Sequence, residues 1–459
     1  MIDRLALFGA TGDLAGRYLL PALAALQAAG ELPDGFRLTA AAIEDWDDDA
    51  FRRHADERLR EHAPAVAEDA RHALVRSSRY RRIDFADAAG VAAVIGGADA
   101  RPLVTYLALP PAVFPAAVTA IGKADLPAGS RIALEKPFGE DLASAVALNR
   151  LLAKVVADAG EQAVFRVDHF LGLATVQNLL GLRLANRVFD AAWNSLHIER
   201  VEIVWDETLT LEGRGYYDAS GALRDLIQNH LLHVFCLVAL ESPPTLNERE
   251  LRDRKLDILR SVRPPTAAEM SRRTRRGRYG AGRIGERSIP AYVDEEGVDP
   301  QRRTETFAEI VLEIASERWR GTPFVLRTAK AMARDRREVV VRFRPVRHLP
   351  FSAAAGDAAP NELRIGLAEP GYLTLRLTGN SAGPPLDLVP LELGAQLPPT
   401  ALPEYGRVLR DILGGGSMLS VRGDEAEQAW RIVTPVLEAW AQDRVPLQEY
   451  AAGSDGPSR

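Results

Sequence analysis

Leu5-Ala6-Leu7-Phe8-Gly9-Ala10-Thr11-Gly12-Asp13-Leu14-Ala15 carries a short apolar strand, Arg4 to Phe8, straight into a glycine-bearing turn. From Arg17 to Ala29 the spacing becomes helical, with Leu19, Leu20, Leu23 and Leu26 on a shared face. Glycines permit the tight turn and a close backbone approach, and a helix start offers free N–H groups to a pyrophosphate. Many strand-helix turns hold two glycines, so the spacing is weak by itself. Its place as the first turn of the chain, between strand and helix, points to a dinucleotide held by Gly9, Thr11, Gly12, Asp13 and Leu14.

Outward from that turn, Phe36 to Ile43, Pro102 to Ala108 and Ser130 to Leu134 read as further strands. Strands alternating with helical stretches imply a parallel sheet with helices on both faces. Past about residue 175 the texture changes. Arg200 to Trp205, Phe307 to Ile314 and Glu338 to Phe343 alternate apolar and polar residues, the mark of an antiparallel sheet with one buried face. Helical stretches at Leu223 to Leu240 and Asp424 to Ala441 are placed over that face. The fold class is therefore α/β followed by α+β, with a Rossmann-like dinucleotide-binding domain at 1–175 and a second domain at 176–459. The small, polar tail Ala451 to Arg459 reads as frayed.

Composition narrows the class. A chain of 459 residues is too long for one core, and 47% hydrophobic with 26% charged residues is ordinary for a globular protein. The single cysteine, Cys236, excludes an intrachain disulfide framework and argues against a structural zinc, so no metal is assigned and a cytoplasmic setting fits. Cys236 lies in the apolar run Leu231 to Leu240, which is too short to span a bilayer, and the N-terminus shows no signal-peptide layout. A net charge of −6 gives no whole-protein attraction to nucleic acid or anionic membrane, so neither is a predicted partner. The basic run Arg272 to Arg278 reads as a solvated loop.

Two histidines stand in settings suited to proton transfer. His169 lies in Arg166-Val167-Asp168-His169-Phe170-Leu171-Gly172-Leu173, and His230 in Arg224-Asp225-Leu226-Ile227-Gln228-Asn229-His230. A histidine that titrates near neutrality and becomes a cation is helped by a buried carboxylate, as in Asp-His pairs of hydrolases. At the cofactor end, Ala41-Ala42-Ile43-Glu44-Asp45-Trp46 closes the second strand. An aliphatic Ile43 cannot pair with a 2′-phosphate, and a carboxylate at Glu44 would repel one while accepting hydrogen bonds from free ribose hydroxyls. NAD is thus favoured over NADP. The alternative is that Glu44 caps the helix expected over Asp47 to Arg60.

These runs resemble the glucose-6-phosphate dehydrogenase family. The resemblance extends through Glu135-Lys136-Pro137-Phe138-Gly139, Val176-Gln177-Asn178-Leu179, Glu212-Gly213-Arg214-Gly215-Tyr216-Tyr217-Asp218, Gly221-Ala222-Leu223, Arg303 to Phe307 and Pro323 to Thr328. It implies oxidation of the C1 hemiacetal of an aldohexose to the 1,5-lactone, with hydride passing to NAD or NADP. It implies His230 as the general base, Asp168 as its carboxylate partner and His169 facing the 6-phosphate. Lys136 is placed between cofactor and sugar, before a cis Pro137. Glu207 and Asp225 are placed on sugar hydroxyls and Lys330 on the substrate. The second domain would also carry dimerisation, giving a homodimer or homotetramer. A silent paralogue acting as a binding or regulatory subunit is the competing reading.

The departures from the family pattern gather where phosphate should bind. Phe170 replaces a tyrosine and Leu173 a lysine. Tyr18 and Gly16 replace basic residues past the glycine turn, Ala329 replaces a glycine, and Asp335 stands at a cationic position flanked by Arg334 and Arg336. Either flanking arginine would serve if that loop shifted by one residue. Leu173, Phe170 and Tyr18 would otherwise line a less polar pocket for the C6 end, so the substrate is glucose 6-phosphate or an analogue lacking or replacing the 6-phosphate.

Overall fold

The computed structural model describes residues 1–459 apart from 97–100, 158, 213–214, 352–358, 382–387 and 459. Gly213 and Arg214 of the motif quoted above therefore lie outside the described residues. The chain divides into two compact units. One comprises Met1–Ala174, Pro243–Asp253 and Thr400–Glu427, the other Thr175–Ser242, Arg254–Pro399 and Gln428–Arg459.

The first unit is built on a seven-stranded sheet in the order Ser420–Val421, Val164–Val167, Arg131–Glu135, Val104–Leu107, Arg4–Phe8, Arg37–Ala42 and Ser78–Arg82. All pairs are parallel except the one made by Ser420–Val421. Val104–Leu107 and Val164–Val167 are buried at every position, as a strand covered on both faces must be. The helix after the glycine turn is less regular than its leucine spacing predicts. Ala15–Leu19 is wound as a π-helix and only Leu20–Ala28 is α-helical. Pro21 lacks the N–H that would close an i→i+4 bond to Arg17, and Leu20 N–H instead reaches back to the Ala15 carbonyl.

The second unit carries a large sheet in the order Leu388–Gln396, Tyr372–Asn380, Glu362–Gly366, Arg336–Phe343, Ile198–Asp206, Phe324–Ala329, Phe307–Ile314, Thr274–Gly280 and Leu447–Ala451. It is mainly antiparallel, with two parallel pairs, one joining Ile198–Asp206 to Phe324–Ala329 and one joining Thr274–Gly280 to Leu447–Ala451. The helical stretch Leu223–Ala239 covers one face, where Phe235 meets Phe324 edge-on at 5.0 Å, and Trp440 Nε1 donates to Thr274 Oγ1 at 3.1 Å.

Two sequence expectations fail here. The Arg272 to Arg278 run is no solvated loop, because it ends a helix and forms the strand Thr274–Gly280. Its cations are matched by carboxylates and carbonyls, with Arg276 Nε on the Val445 carbonyl and Arg275 beside Glu309. Nor is the tail frayed through residue 458. The backbone of Ala452, Gly453 and Ser454 bonds to Arg283, Ala331 and Ala333. A Cβ on Gly453 (φ +81°) would lie 1.7 Å from the Arg283 carbonyl oxygen, so only glycine admits this approach.

Candidate active site

In the first unit, strand Arg4–Phe8 ends at Gly9 with φ +80°, and a Cβ there would sit 2.1 Å from the Ala108 carbonyl oxygen. The turn closes through Gly12 N–H to the Gly9 carbonyl at 3.1 Å, and the helix begins with Gly16 N–H on the Gly12 carbonyl. Thr11 Oγ1 donates to Glu44 Oε2 at 2.9 Å, which brings the end of the second strand onto the glycine turn. Asp13 is exposed and pairs with Arg17 at 2.8 Å. Glu44 is not the cap of the following helix. That role belongs to Asp47, whose Oδ1 accepts from Ala50 N–H at 2.8 Å. Tyr80 OH donates to the Glu44 carbonyl, and burial followed by the Glu44 charge pushes the phenol up to about 12. A turn closed by two glycines, a helix start and a carboxylate beside them suit a dinucleotide's pyrophosphate and ribose hydroxyls.

Strand Val164–Val167 delivers Asp168, fully buried, as the cap of the short turn His169–Gly172, with Oδ1 accepting from Phe170 N–H at 3.0 Å. A helix, Glu404–Gly414, lies against this turn because Gly172 leaves room. A Cβ there would be 2.5 Å from the Glu404 carbonyl, and Arg407 Nε donates to the Gly172 carbonyl. The helix thereby stacks Tyr405 on His169, with centroids 5.3 Å apart and planes at 17°. Tyr18 is tilted against Tyr405, with ring centroids 5.5 Å apart. Phe170 is buried, edge-on to His169, whereas Tyr18 stays exposed.

Lys136 follows strand Arg131–Glu135 and precedes a cis bond to Pro137. Its neighbour Glu135 is buried, accepts from Tyr106 OH at 2.5 Å and bonds Tyr405 as well. Burial is the main reason the Glu135 carboxyl is pushed up to about 7, with the Asp168 charge adding to it. Tyr106 and Lys136 act in the opposite direction. Burial and Glu135 in turn drive the Tyr106 and Tyr405 phenols well up.

In the second unit, the parallel register of Asp206 with Ala329 sets the next residues, Glu207 and Lys330, side by side. Glu207 N–H bonds the Ala329 carbonyl at 2.9 Å, and the buried Lys330 ammonium pairs with the Glu207 carboxylate. The antiparallel strand Arg336–Phe343 brings Arg337 Nη2 to 3.4 Å from Glu207 Oε1, with its guanidinium 5.2 Å over Trp205. Asp335 accepts from Thr208 N–H at 2.7 Å and Oγ1 at 3.0 Å, and pairs with Arg337 at 2.9 Å. Of the three arginines around Asp335, it is Arg337 that pairs with Glu207. Arg336 pairs with Glu338 and Glu202 instead, and Arg334 lines a cavity with Arg336 and Arg364, while pleat alternation gives Arg337 to Glu207.

Asp225 and His230 share the π-helical segment Leu223–Leu231, with His230 buried and its backbone N–H donating to Asn229 Oδ1 at 2.6 Å. Entry to that segment is fixed by Gly221 (φ +72°), where a Cβ would be 2.6 Å from Glu305 Oε1, itself the acceptor for Leu223 N–H. The nearby Tyr217 phenol is pushed well up by burial, then by Asp225 and Glu305. The predicted residues therefore divide by unit, with Asp168, His169 and Lys136 in one and Glu207, Asp225, His230 and Lys330 in the other. Sequence reasoning missed Tyr106, Tyr405, Glu135 and Arg337. Only Glu135 carried a signal, as the first residue of its motif.

A family model described as "Glucose-6-phosphate dehydrogenase, NAD binding domain" matches residues 6–178, and one described as "Glucose-6-phosphate dehydrogenase, C-terminal domain" matches residues 180–459. The chain is 38% identical to a glucose-6-phosphate 1-dehydrogenase of Rhizobium meliloti (strain 1021), covering 98% of this chain and 94% of the relative. It is 39% identical to one of Mycolicibacterium smegmatis, covering 98% and 93%. Among solved structures, glucose-6-phosphate dehydrogenase in complex with its substrate glucose-6-phosphate superposes with a TM-score of 0.89 at 29% identity, over 99% of this chain and 95% of that one.

Proposed function

Because the chain belongs to the glucose-6-phosphate dehydrogenase family, we propose that it oxidises the C1 hemiacetal of an aldohexose to the 1,5-lactone. Residues 1–175 would bind the dinucleotide and 176–459 the sugar. The observation that carries this is the match of both halves of the family along the whole chain, with Asp168, His230, Lys136 and Glu207 retained. The bound nicotinamide supplies the acceptor for the C1 hydride.

His230 takes the proton of the 1-hydroxyl as that hydride leaves, and a carboxylate at Asp168 favours the imidazolium. Lys136 holds the sugar toward the cofactor. Glu207 and Asp225 accept hydrogen bonds from ring hydroxyls, Lys330 fixes Glu207 and donates to the sugar, and His169 serves the C6 end. Gly9, Gly12 and the N–H groups of Thr11, Asp13 and Leu14 take the pyrophosphate, with Glu44 on the ribose. Thr11 holding Glu44 at the turn supports NAD over NADP.

Steady-state kinetics with both cofactors test the assignment. A higher kcat/KM with NAD is expected, and a strong NADP preference would sink it. His230→Asn should lower kcat by roughly 10²–10⁴-fold while leaving NAD binding intact. Binding of the cofactor without turnover of any aldose would favour the silent-paralogue reading. Self-association as a homodimer or homotetramer through the large sheet is supported by Val389, Leu391 and Leu393, exposed along its outermost strand. Sedimentation at micromolar concentration tests it. A cytoplasmic location is inferred from the single, buried cysteine.

A further inference from the structure

We propose that the first unit holds a second ligand site, an arginine-lined cavity that takes a small molecule bearing two or more phosphate groups. This goes beyond the C1-dehydrogenase reading and does not rest on it. Every residue it uses lies between Arg4 and Leu103, within one unit.

The cavity has a volume of about 510 Å³, within the range of small-molecule sites. Arg4, Arg37, Arg52, Arg76, Arg79 and Arg81 line it, and among the described residues no carboxylate does. Strand register explains how they gather. Arg4 lies opposite Arg37, Thr39 opposite Arg79 and Ala41 opposite Arg81. Partners on adjacent strands stand about 4.8 Å apart and face the same way, so Arg37, Thr39, Arg79 and Arg81 share one face of the sheet. The other face carries Leu38, Ala40 and Tyr80 into the core. Strand Ser78–Arg82 shows the division directly, with Ser78 and Tyr80 buried and Arg79 and Arg81 exposed. A parallel sheet is ordinarily covered by apolar packing on both faces. At this corner one face carries guanidinium groups, and the helices Glu68–Ser77 and Asp48–His62 add Arg76 and Arg52 to them.

The protein answers only part of that charge. Asp49 pairs with Arg52 at 3.2 Å, and Asp48 stands 3.9 Å from Arg52 and 3.8 Å from Arg81. Asp48 is also held by Tyr80 N–H at 2.6 Å. Arg4 donates to the carbonyls of Ile95 and Arg101. Arg76 and Arg79 make no ion pair or hydrogen bond among the described residues, and neither does the Thr39 hydroxyl. Gathered like charges repel unless an anion joins them. A guanidinium offers paired N–H donors that match phosphate oxygens two at a time. Arg79 and Arg81 are about 6–7 Å apart along their strand, a span suited to two linked phosphates rather than one. The cofactor turn is elsewhere, since Gly9 follows the far end of strand Arg4–Phe8, about 16 Å from Arg4.

The test is calorimetric titration of the full-length protein, saturated with NAD, using tripolyphosphate and fructose 1,6-bisphosphate at fixed ionic strength. One saturable equivalent per chain is expected with at least one probe, with a Kd of about 100 μM or below, and sulfate at the same ionic strength should not displace it. The tighter probe tells whether the phosphates arrive on an inorganic chain or on an organic body. Arg76→Gln combined with Arg79→Gln should weaken binding by about 10²-fold, each lost charge-assisted contact being worth about tenfold. Both side chains are exposed, so the NAD Kd and the melting temperature without probe should match wild type. Binding that survives the double substitution, or that sulfate removes, overturns the proposal. No binding of either probe while NAD binds normally also overturns it, and leaves the C1 reading standing.

Discussion

Glu135, the last residue of its strand, and Glu207, the first residue after its own, are both buried carboxylates, yet their surroundings differ in kind. Glu135 is met by two phenols, Tyr106 and Tyr405, while Glu207 is met by two cations, Lys330 and Arg337. Phenols donate hydrogen bonds without supplying charge, so desolvation wins and the Glu135 proton is held near neutrality. Cations supply the charge, and the carboxylate becomes one corner of a fixed ionic array. The first unit thus keeps a protonatable group next to Lys136, and the second keeps an ionised one locked between Lys330 and Arg337.

Removing Glu207 should have the largest effect. Glu207→Gln leaves Lys330 buried without its carboxylate, and breaking a buried pair costs about 3–5 kcal/mol, less here because Arg337 is partly exposed and keeps its pair with Asp335. Urea denaturation should show a loss near the lower bound, and an unchanged midpoint would mean the array is not what fixes this region.

Glu135→Gln probes the opposite case. The wild-type carboxyl is raised from 4.5 to about 7, so the folded state holds the proton more tightly than the unfolded one. Stability therefore falls as pH rises through 4.5 to 7, by about 3 kcal/mol in all. Glutamine keeps an acceptor for Tyr106 without that penalty. Thermal melts should show the variant gaining on wild type between pH 5 and pH 8, and a gap independent of pH would break the contrast.

The smallest effect is expected at the exposed corner of the array. Asp335→Asn keeps an acceptor for Thr208 but loses the half-exposed ion pair with Arg337, which is worth less than about 1 kcal/mol. A melting shift of a few degrees or less fits; a large one would extend the buried array out to Asp335.

Much of this was legible in the sequence because the signals are local. The strand-turn-helix at Gly9, the alternation in Phe307–Ile314 and the motif around Asp168 each declare themselves within a dozen residues. The misses are long-range. Tyr405 stacks on His169 from more than two hundred residues away, and Arg337 reaches Glu207 only because two antiparallel strands share a register. The basic run was misjudged for the same reason, since its carboxylate and carbonyl partners lie on other strands and in the C-terminal segment. Pro21 is the exception, a local residue whose missing N–H unwinds the first turn inside an otherwise strong leucine pattern.

The antiparallel edge strand Ser420–Val421 has a consequence for how the protein is made. Its Ser420 hydroxyl reaches the Arg166 carbonyl across 254 residues of chain, and Arg131 likewise waits for the carbonyl of Leu413. At about 5–20 residues per second, a ribosome needs on the order of ten to fifty seconds between Val167 and Val421. For that interval the edge of strand Val164–Val167, beside Asp168 and His169, has no partner strand. Nascent chains arrested before residue 421 should expose that edge to chaperones and to one another, and release past it should close the sheet.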